Sequence, residues 1–555
     1  MPVIEVYPER LSRFLGIDVG LKQLVDDLPW LATDIEDVGE ESVKIEYNPN
    51  RPDFSSHAGI ARAYAGFLEI GLGYPEAVSS SPRIVFHFDG RLRGVRGVLC
   101  SAAVRNIRLG EEDLKEVINV QEVLHQGIGR NRRKVSIGIH DLDRIKPPVY
   151  YVAADPDGVS FKPLGIDRRL TLNEVLREVD KGLEYGHIIK GFDKYPVIVD
   201  STGEVLSFPP IINSELTRLT PETRNLFIDV TALDEYYASR ALNILLYLFK
   251  DMGGSIEAVK IVYDDGSEKT YPDFKPRIMS VEAQYINSLL GENLSNAEIY
   301  RSFLKCRFSV VNDGDRFRVG VPPYRVDIMH NVDLVEEVAI GYGLWRLTPT
   351  YPEASTIGLK HPETIVQDRA RLLMIGLGYT EVFNFLITNE DQSYRMVRRP
   401  VAERARLANS SSVELTMLRD SLLPGLIRNL SSNKHEKYPQ RIFETGPVIR
   451  VSGDGFVDTR VSLAGVSAHS SASFSEAKSV VLSLLSNLCV EPVLFEKGED
   501  SLFTPGRVAK IVFNNCPLGV LGEVHPEVLE LNGLENPVAG FEMDLTLLVK
   551  KYSKF

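Results

Sequence analysis

A chain of 555 residues is too long for one hydrophobic core, and a norm of roughly 150 residues per domain implies about three to five domains. Its 44% hydrophobic and 25% charged content excludes a wholly disordered protein. The net charge of −13 excludes indiscriminate binding of nucleic-acid backbone over the whole surface, although it leaves room for local basic patches. Cys100, Cys306, Cys489 and Cys516 are far apart with no Cys-x-x-Cys pair, which argues against a zinc ribbon or disulfide framework and for a reduced, cytoplasmic setting. The first residues lack a charged segment followed by an apolar core, so no signal peptide is expected. The longest aliphatic run, 241–249, is far too short to span a membrane.

Residues 1–79 read as a small α/β domain. Apolar spacing predicts helices at 11–15 and 21–28 and strands at 31–37 and 42–47. NPNRPD (residues 48–53) follows as an extended turn, because residues before proline avoid the helical region. A helix capped by Ser55 or Ser56 comes next, and Gly71 and Gly73 end it.

Residues 80–275 read as a mixed, strand-rich domain. Strands are expected at 83–88, 98–107, 149–154, 197–200 and 227–230, and helices near 114–124, 172–179 and 236–249. Two stretches stand out. Residues 125–145 hold Arg130, Arg132, Arg133 and Lys134 in five positions of an acidic chain, which fits either a solvated loop or a contact to RNA phosphate. Residues 207–231 are dense in small polar groups, among them Ser207, Asn213 and Thr231, and carry Arg218. Strand alternation puts Phe227, Asp229 and Thr231 on one face, where a carboxylate and a hydroxyl can orient a water or a ligand amine. A solvent-facing edge strand fits the same pattern. No Ser-His-Asp or Cys-His arrangement is apparent, so a covalent nucleophile is not expected.

Residues 276–350 read as a compact α/β unit with helices at 280–289 (cap Ser280) and 295–305 (cap Ser295) and a hairpin at 312–315. It ends in YRVDIMHNVDLVEEVAIGYGL, residues 324–344, where Asp327, Asp333, Glu336 and Glu337 fall within eleven positions at the start of a helix. These hard oxygen ligands suit Mg²⁺ if the chain turns back through 329–331. Asp333 as an N-cap, with Glu336 completing a capping box, accounts for the same spacing without a metal.

Residues 351–555 read as a further α/β domain with a helix at 364–377, strands at 381–387, 440–445, 460–466, 509–513, 519–522 and 539–543, and a helix at 418–430 interrupted near Pro424. Without a Gly-x-Gly-x-x-Gly or a Gly-x-x-x-x-Gly-Lys-Ser/Thr motif, neither a Rossmann nor a P-loop nucleotide site is expected.

Several segments, in order along nearly the whole chain, resemble the β subunit of phenylalanyl-tRNA synthetase in its archaeal/eukaryotic branch. They are NPNRPD, HQGI-x-R-x-R with IGIHDLD, PPIIN with TRNLFIDVT, YRVDI with DLVEEVAIGYG, LRDSLLPGL, FETGPV and GEVHPEVL. The resemblance implies an α+β multidomain chain: an editing domain, a small Mg²⁺-binding domain and a class II synthetase-like antiparallel core. It also implies an α₂β₂ heterotetramer that attaches phenylalanine to tRNA(Phe) with ATP, which is bound mainly by α. The core is expected to lack the catalytic arginines. Aligned on Glu444, Ile442 stands where one arginine is expected and Arg441 lies on the other strand face, while Met543 follows Glu542 where the second is expected. The resemblance further implies that Ser207, Asn213, Arg218, Asp229 and Thr231 line a pocket hydrolysing Tyr-tRNA(Phe), and that Asp327, Asp333, Glu336 and Glu337 bind a Mg²⁺ shared with α. The anticodon-binding domain and oligonucleotide-binding barrel of bacterial β subunits are expected to be missing. Recognition of tRNA would then lean on α, helped by basic loops of this chain. Two other readings are a non-enzymatic tRNA- or protein-binding scaffold of the same descent and a Mg²⁺-dependent hydrolase centred on 327–337. The latter lacks a recognisable base or pocket.

Overall fold

The structure is a computed structural model that describes residues 2–351 and 356–552. The chain divides into two compact units, Met1–Tyr351 and Pro352–Phe555. The segments expected at 1–79, 80–275 and 276–350 all lie in the first unit, each around its own sheet.

In the first unit, Val3–Val6 and Thr33–Val38 flank Val43–Tyr47 in an antiparallel sheet. Helix His57–Phe67 starts at Ser56, whose hydroxyl accepts from the Gly59 amide. It stops at Leu68, short of the glycines expected to end it. At the other end of the unit, Arg316–Val321 pairs with Arg277–Glu282 and Ser309–Asp313. Ser280 therefore sits in a strand, and the next helix, Ala283–Leu290, begins after Glu282. Ser295 caps Asn296–Lys305 through a capping box with Glu298, as its spacing predicts.

Between these lies a ten-stranded sheet. Ser80–Phe88 runs parallel to both of its neighbours, Val149–Ala154 and Ser255–Tyr263, and the remaining ladders are antiparallel. Leu226–Ala232 pairs with Val98–Arg105 on one side and Val135–Asp141 on the other. All seven of its residues are buried, so the solvent-facing edge strand is excluded. Such a strand is shielded on both faces and reads as a nearly continuous apolar run, which makes Asp229 and Thr231 conspicuous within it. Val135–Asp141 lies in the stretch that composition marks only as basic, and its strand character was not anticipated.

The second unit is built on a seven-stranded sheet. Gln440–Val451, Val457–Ala468, Val538–Asp544, Cys516–Val524, Phe503–Phe513 and Val493–Lys497 follow one another as antiparallel neighbours, and Thr380–Glu381 adds a parallel edge. The strand expected over 381–387 is reduced to two short pieces, Thr380–Glu381 and Ile387–Thr388. The helix expected over 418–430 begins later, as Leu423–Ser432, because Pro424 belongs in a first turn, where its missing N–H costs nothing.

Candidate functional site

The register of the large sheet brings together residues that the sequence scatters. Phe227 pairs with His140 and Asp229 with Gly138 across the same ladder. On this diagonal His140 Nε2 lies 2.8 Å from Asp229 Oδ2. The other ring nitrogen, Nδ1, lies 2.7 Å from Thr217 Oγ1. With Nε2–H donated to the carboxylate, Nδ1 accepts from the threonine hydroxyl. All three side chains are at most 1% exposed. Gly138 makes the pairing sterically feasible, since a Cβ there would stand 2.1 Å from Asp229 Oδ2 and 2.7 Å from His140 Nε2.

Around this hydroxyl–imidazole–carboxylate string, Ser207 Oγ donates to Asn213 Oδ1 at 3.0 Å, and Asn213 Nδ2 reaches the carbonyl of Ile139, the neighbour of His140. Thr231 is engaged elsewhere, where its Oγ1 and carbonyl accept from the buried guanidinium of Arg96 at 3.2 and 2.6 Å. Burial pushes the Arg96 guanidinium down to about 10, against the pull of Tyr151 and Asp229. Arg218 projects outward and pairs with Glu215 at 2.8 Å. Of the five expected residues, Asp229 belongs to the string and Ser207 and Asn213 stand beside it, whereas Thr231 turns to Arg96 and Arg218 projects outward. His140, Thr217 and Arg96 carry the interior contacts. The pattern of hydroxyl, imidazole and carboxylate exists here although no sequence spacing announces it; the one available signal is a histidine inside the strand-like SIGIHD.

The basic loop divides in the same way. Arg132 is 8% exposed and donates to the Ile211 carbonyl at 2.9 Å and to Glu122 at 2.7 Å, so it fastens the loop from inside. Arg130 and Arg133 are exposed, and Lys134 Nζ sits 5.2 Å from the centre of the Tyr237 ring. Residues 130–132 all have left-handed φ values (47°, 53° and 63°), a strain that the buried Arg132 contacts offset.

The carboxylate-rich stretch is organised by Arg325, a residue whose role no sequence pattern announces. Its guanidinium, 4% exposed, lies 2.5 Å from Asp327 Oδ2 and 2.5 Å from Glu337 Oε1. The helix Asn331–Tyr342 begins earlier than Asp333 suggests. Asp333 is its third residue and accepts from the amides of Met329 and His330 at 2.6 and 2.7 Å, which makes it the return arm of a cap rather than the N-cap itself. Glu336 reaches the surface. Packing around its stem, then the Glu337, Asp327 and Asp333 carboxylates, hold its carboxyl above the usual range. The four carboxylates therefore do not converge as ligands: two face a guanidinium and one faces backbone amides. Among the described residues, no three Asp, Glu, His or Cys side chains are arranged to hold a metal.

The chain matches three family models: the B3/4 domain over residues 96–245, the tRNA synthetase B5 domain over 279–344, and the phenylalanyl tRNA synthetase beta chain CLM domain over 347–545. It is 44% identical to the phenylalanine–tRNA ligase beta subunit of Archaeoglobus fulgidus, with 98% of each chain covered. It is 40% identical to that of Methanothrix thermoacetophila, with 99% of this chain and 100% of the relative covered.

The chain belongs to the phenylalanine–tRNA ligase β-subunit family.

An N-terminal fragment of the phenylalanyl-tRNA synthetase β subunit from Pyrococcus horikoshii is 38% identical. It superposes with a TM-score of 0.59, covering 61% of this chain and 99% of the fragment. The B3/4 match contains the Thr217–His140–Asp229 string, and the B5 match contains all four carboxylates of 327–337. In the unit matched by the β-chain CLM model, Glu444 is met by an arginine from elsewhere: Arg419 Nη1 lies 2.5 Å from its Oε1. Arg441 turns to Glu476 at 3.1 Å. Glu542 is capped by Ser421 Oγ at 2.5 Å and the Leu422 amide at 3.1 Å. The adjoining cavity of about 570 Å³ is lined by five cations: Arg399, Arg404 and Arg460 are each paired with a carboxylate (Asp500, Asp420 and Asp544) at 2.8–2.9 Å, and Arg450 and Lys510 line it without an ion pair among the described residues. A guanidinium neutralised in this way has little charge left to hold a triphosphate.

Proposed function

We propose that this chain is the β subunit of a phenylalanine–tRNA ligase. With an α subunit, in an α₂β₂ assembly, it supports ATP-dependent attachment of phenylalanine to tRNA(Phe), and its own large-sheet domain hydrolyses mischarged Tyr-tRNA(Phe). Full-length likeness to the archaeal subunits supports the first role. The Thr217–His140–Asp229 string carries the second.

A hydrolytic site answers a physical need. An apolar pocket shaped for phenylalanine rejects an added hydroxyl by only about 10²-fold. In the proposed reaction, Asp229 fixes the His140 ring and balances positive charge that develops on it, as a carboxylate does for a catalytic imidazole. Ser207 and Asn213 offer donors and acceptors to the aminoacyl group, and Thr231 acts with Arg96 to hold the strand that carries Asp229. Arg218, Arg130 and Arg133 lie outside, where they suit tRNA phosphates. Arg132 and Lys134 position that loop.

The pairing of Arg399, Arg404 and Arg460 with carboxylates, and of Glu444 with Arg419, supports leaving ATP and the aminoacylation chemistry to α. Phe383, Phe385 and Leu372, each 70–85% exposed on that unit, offer an apolar face for such a partner. A shared Mg²⁺ would find Glu336 and the second Asp333 oxygen available here and would take its other ligands from outside this chain. No helix among the described residues is long and apolar enough to cross a membrane. The proposed role belongs in the cytoplasm.

Co-expression with a cognate α chain tests this reading. The complex should charge tRNA(Phe) with phenylalanine and deacylate Tyr-tRNA(Phe), and the Asp229→Ala complex should charge normally while Tyr-tRNA(Phe) accumulates. Unchanged deacylation would move the hydrolytic site elsewhere, and charging by this chain alone would overturn the division of labour.

A further inference from the structure

Just beyond the ladder that carries His140 and Asp229, the helix Glu235–Asp251 opens with two tyrosines turned outward. Tyr236 is 41% and Tyr237 38% exposed. Their rings meet edge to face, 5.2 Å between centres. Arg240, one turn further on, lays its guanidinium over the Tyr236 ring, 3.3 Å from the ring centre, and its Nη1 donates to the Tyr236 carbonyl at 3.3 Å. On the other side, Lys134 covers Tyr237 at 5.2 Å, and the Leu233 amide donates to the Lys134 carbonyl at 3.1 Å. The basic loop and the aromatic pair are thus joined through backbone and side chains alike.

The charges at this end are unbalanced. In a chain of net charge −13, Arg133, Lys134, Arg240 and Arg277 have no ion pair among the described residues. Burial pushes the Arg240 guanidinium down, and repulsion from Arg277 adds to it. The adjacent carboxylates are engaged elsewhere. Asp234 caps the helix by accepting from the Tyr236 amide at 2.8 Å, and Glu235 takes Lys269 at 2.5 Å and the Tyr271 hydroxyl. Leu233 apart, the side chains flanking the two rings (Asp234, Glu235, Ser239 and Arg240) are polar or charged, which does not suit an apolar protein partner.

We propose that Tyr236 and Tyr237 form a stacking platform for unpaired nucleotides of an RNA strand, with Arg133 and Arg240 on its phosphates. Every base offers a π face to an exposed ring, and a guanidinium backing that ring extends the stack while supplying positive charge to the strand. The inference rests on the reading that the large-sheet domain acts on tRNA. Asp229 and Leu233 are four residues apart, about 13 Å along a strand. The platform therefore suits the nucleotides that precede the aminoacylated end.

Fluorescence titration of the full-length chain with a short single-stranded RNA carrying a fluorescent adenine analogue tests this. Stacking should quench the analogue saturably. Tyr236→Leu and Tyr237→Leu should each weaken binding about tenfold or more, and the corresponding Phe variants should retain it. Arg240→Gln should also weaken binding and lower the log–log salt slope by about 0.7, the value of one phosphate contact on a single strand. The proposal is overturned by absence of saturable quenching in the wild type, by unchanged binding in the Leu variants, or by equal affinity for a blunt RNA duplex or an acidic peptide, which would mark charge attraction alone. Deacylation of Tyr-tRNA(Phe) by the complex with α is measured alongside. RNA binding that depends on the tyrosines, without hydrolysis, sinks the hydrolytic reading and upholds the platform; hydrolysis without such binding does the reverse.

Discussion

His140 Nε2 lies 2.8 Å from Asp229 Oδ2, joining two strands through side chains that stand 89 positions apart in sequence. Removing either member should disable hydrolysis while the sheet survives. His140→Ala and Asp229→Ala are each expected to slow deacylation of Tyr-tRNA(Phe) by about 10²-fold or more, the usual contribution of a positioned acid–base group. Because the two act as one unit, the double variant should be little worse than either single one. Additive losses would mean that the pair does not operate together.

Gly138 gives a steric test of the same geometry. A Cβ at this position would overlap Asp229 Oδ2 and His140 Nε2, neither of which has free space to retreat into. Gly138→Ala should cost about 1–3 kcal/mol in chemical denaturation and reduce deacylation. Phenylalanylation by the assembled enzyme should be unaffected.

Arg325 stands between Asp327 and Glu337 in a nearly dry site. Arg325→Met leaves two buried carboxylates uncompensated and should destabilise the first unit by about 3–5 kcal/mol, measured by urea unfolding. Adding Asp327→Asn and Glu337→Gln to that variant should recover much of the loss. If Arg325→Met is neutral, the three charges do not form the unit described.

Asp333 and Glu336, neighbours on one helix, should separate capping from cation binding. Asp333→Ala removes the acceptor for two amides and should cost about 1 kcal/mol with or without Mg²⁺. Glu336→Ala touches no hydrogen bond and relieves crowding among carboxylates, so stability should hold or rise. A loss of metal content or of assembly with α in Glu336→Ala would place a shared ion at this edge.

The loop at 127–134 should loosen in acid. His125 Nε2 accepts from the Ile137 amide at 2.9 Å, and its Nδ1 faces Glu122, which also holds Arg132. Burial holds the His125 imidazole below its usual range. The His125 hydrogen bond, followed by the charge of Arg132, lowers the Glu122 carboxyl to about 2 despite its partial burial. Both groups bind protons more weakly in the folded state. Their contribution is therefore complete above the unfolded values of about 6.5 and 4.3, and it declines as pH falls, first through His125 and then through Glu122 toward about 2. Hydrogen-exchange protection factors across the loop, taken relative to the intrinsic exchange rate at each pH, should fall below about pH 6, with no counterpart on the alkaline side.

Much of the architecture was legible from local pattern. Helix 235–251 follows its apolar stripe and its Asp234 cap, and Asn296–Lys305 follows the Ser295–Glu298 box, because both signals act within a few residues. Where a neighbour outside the window decided the outcome, the pattern failed. Ser280 reads as a cap but is held in a ladder against Arg318, and SIGIHD is hidden beside a run of charges but completes the large sheet.

The functional residues divide along the same line. Composition and ordered motifs, which are properties of the chain alone, were enough for the family, the kinds of group available and the strand that carries Asp229. What each group does was set by the folded arrangement: Asp229 meets His140 and not Thr231, Thr231 meets Arg96, Arg132 turns inward, and two of the four clustered carboxylates close on Arg325. The physical reason is range. Capping and periodicity operate over about one helical turn or one strand pair, whereas the partner of a buried charge is set by sheet register and by which groups packing has removed from water.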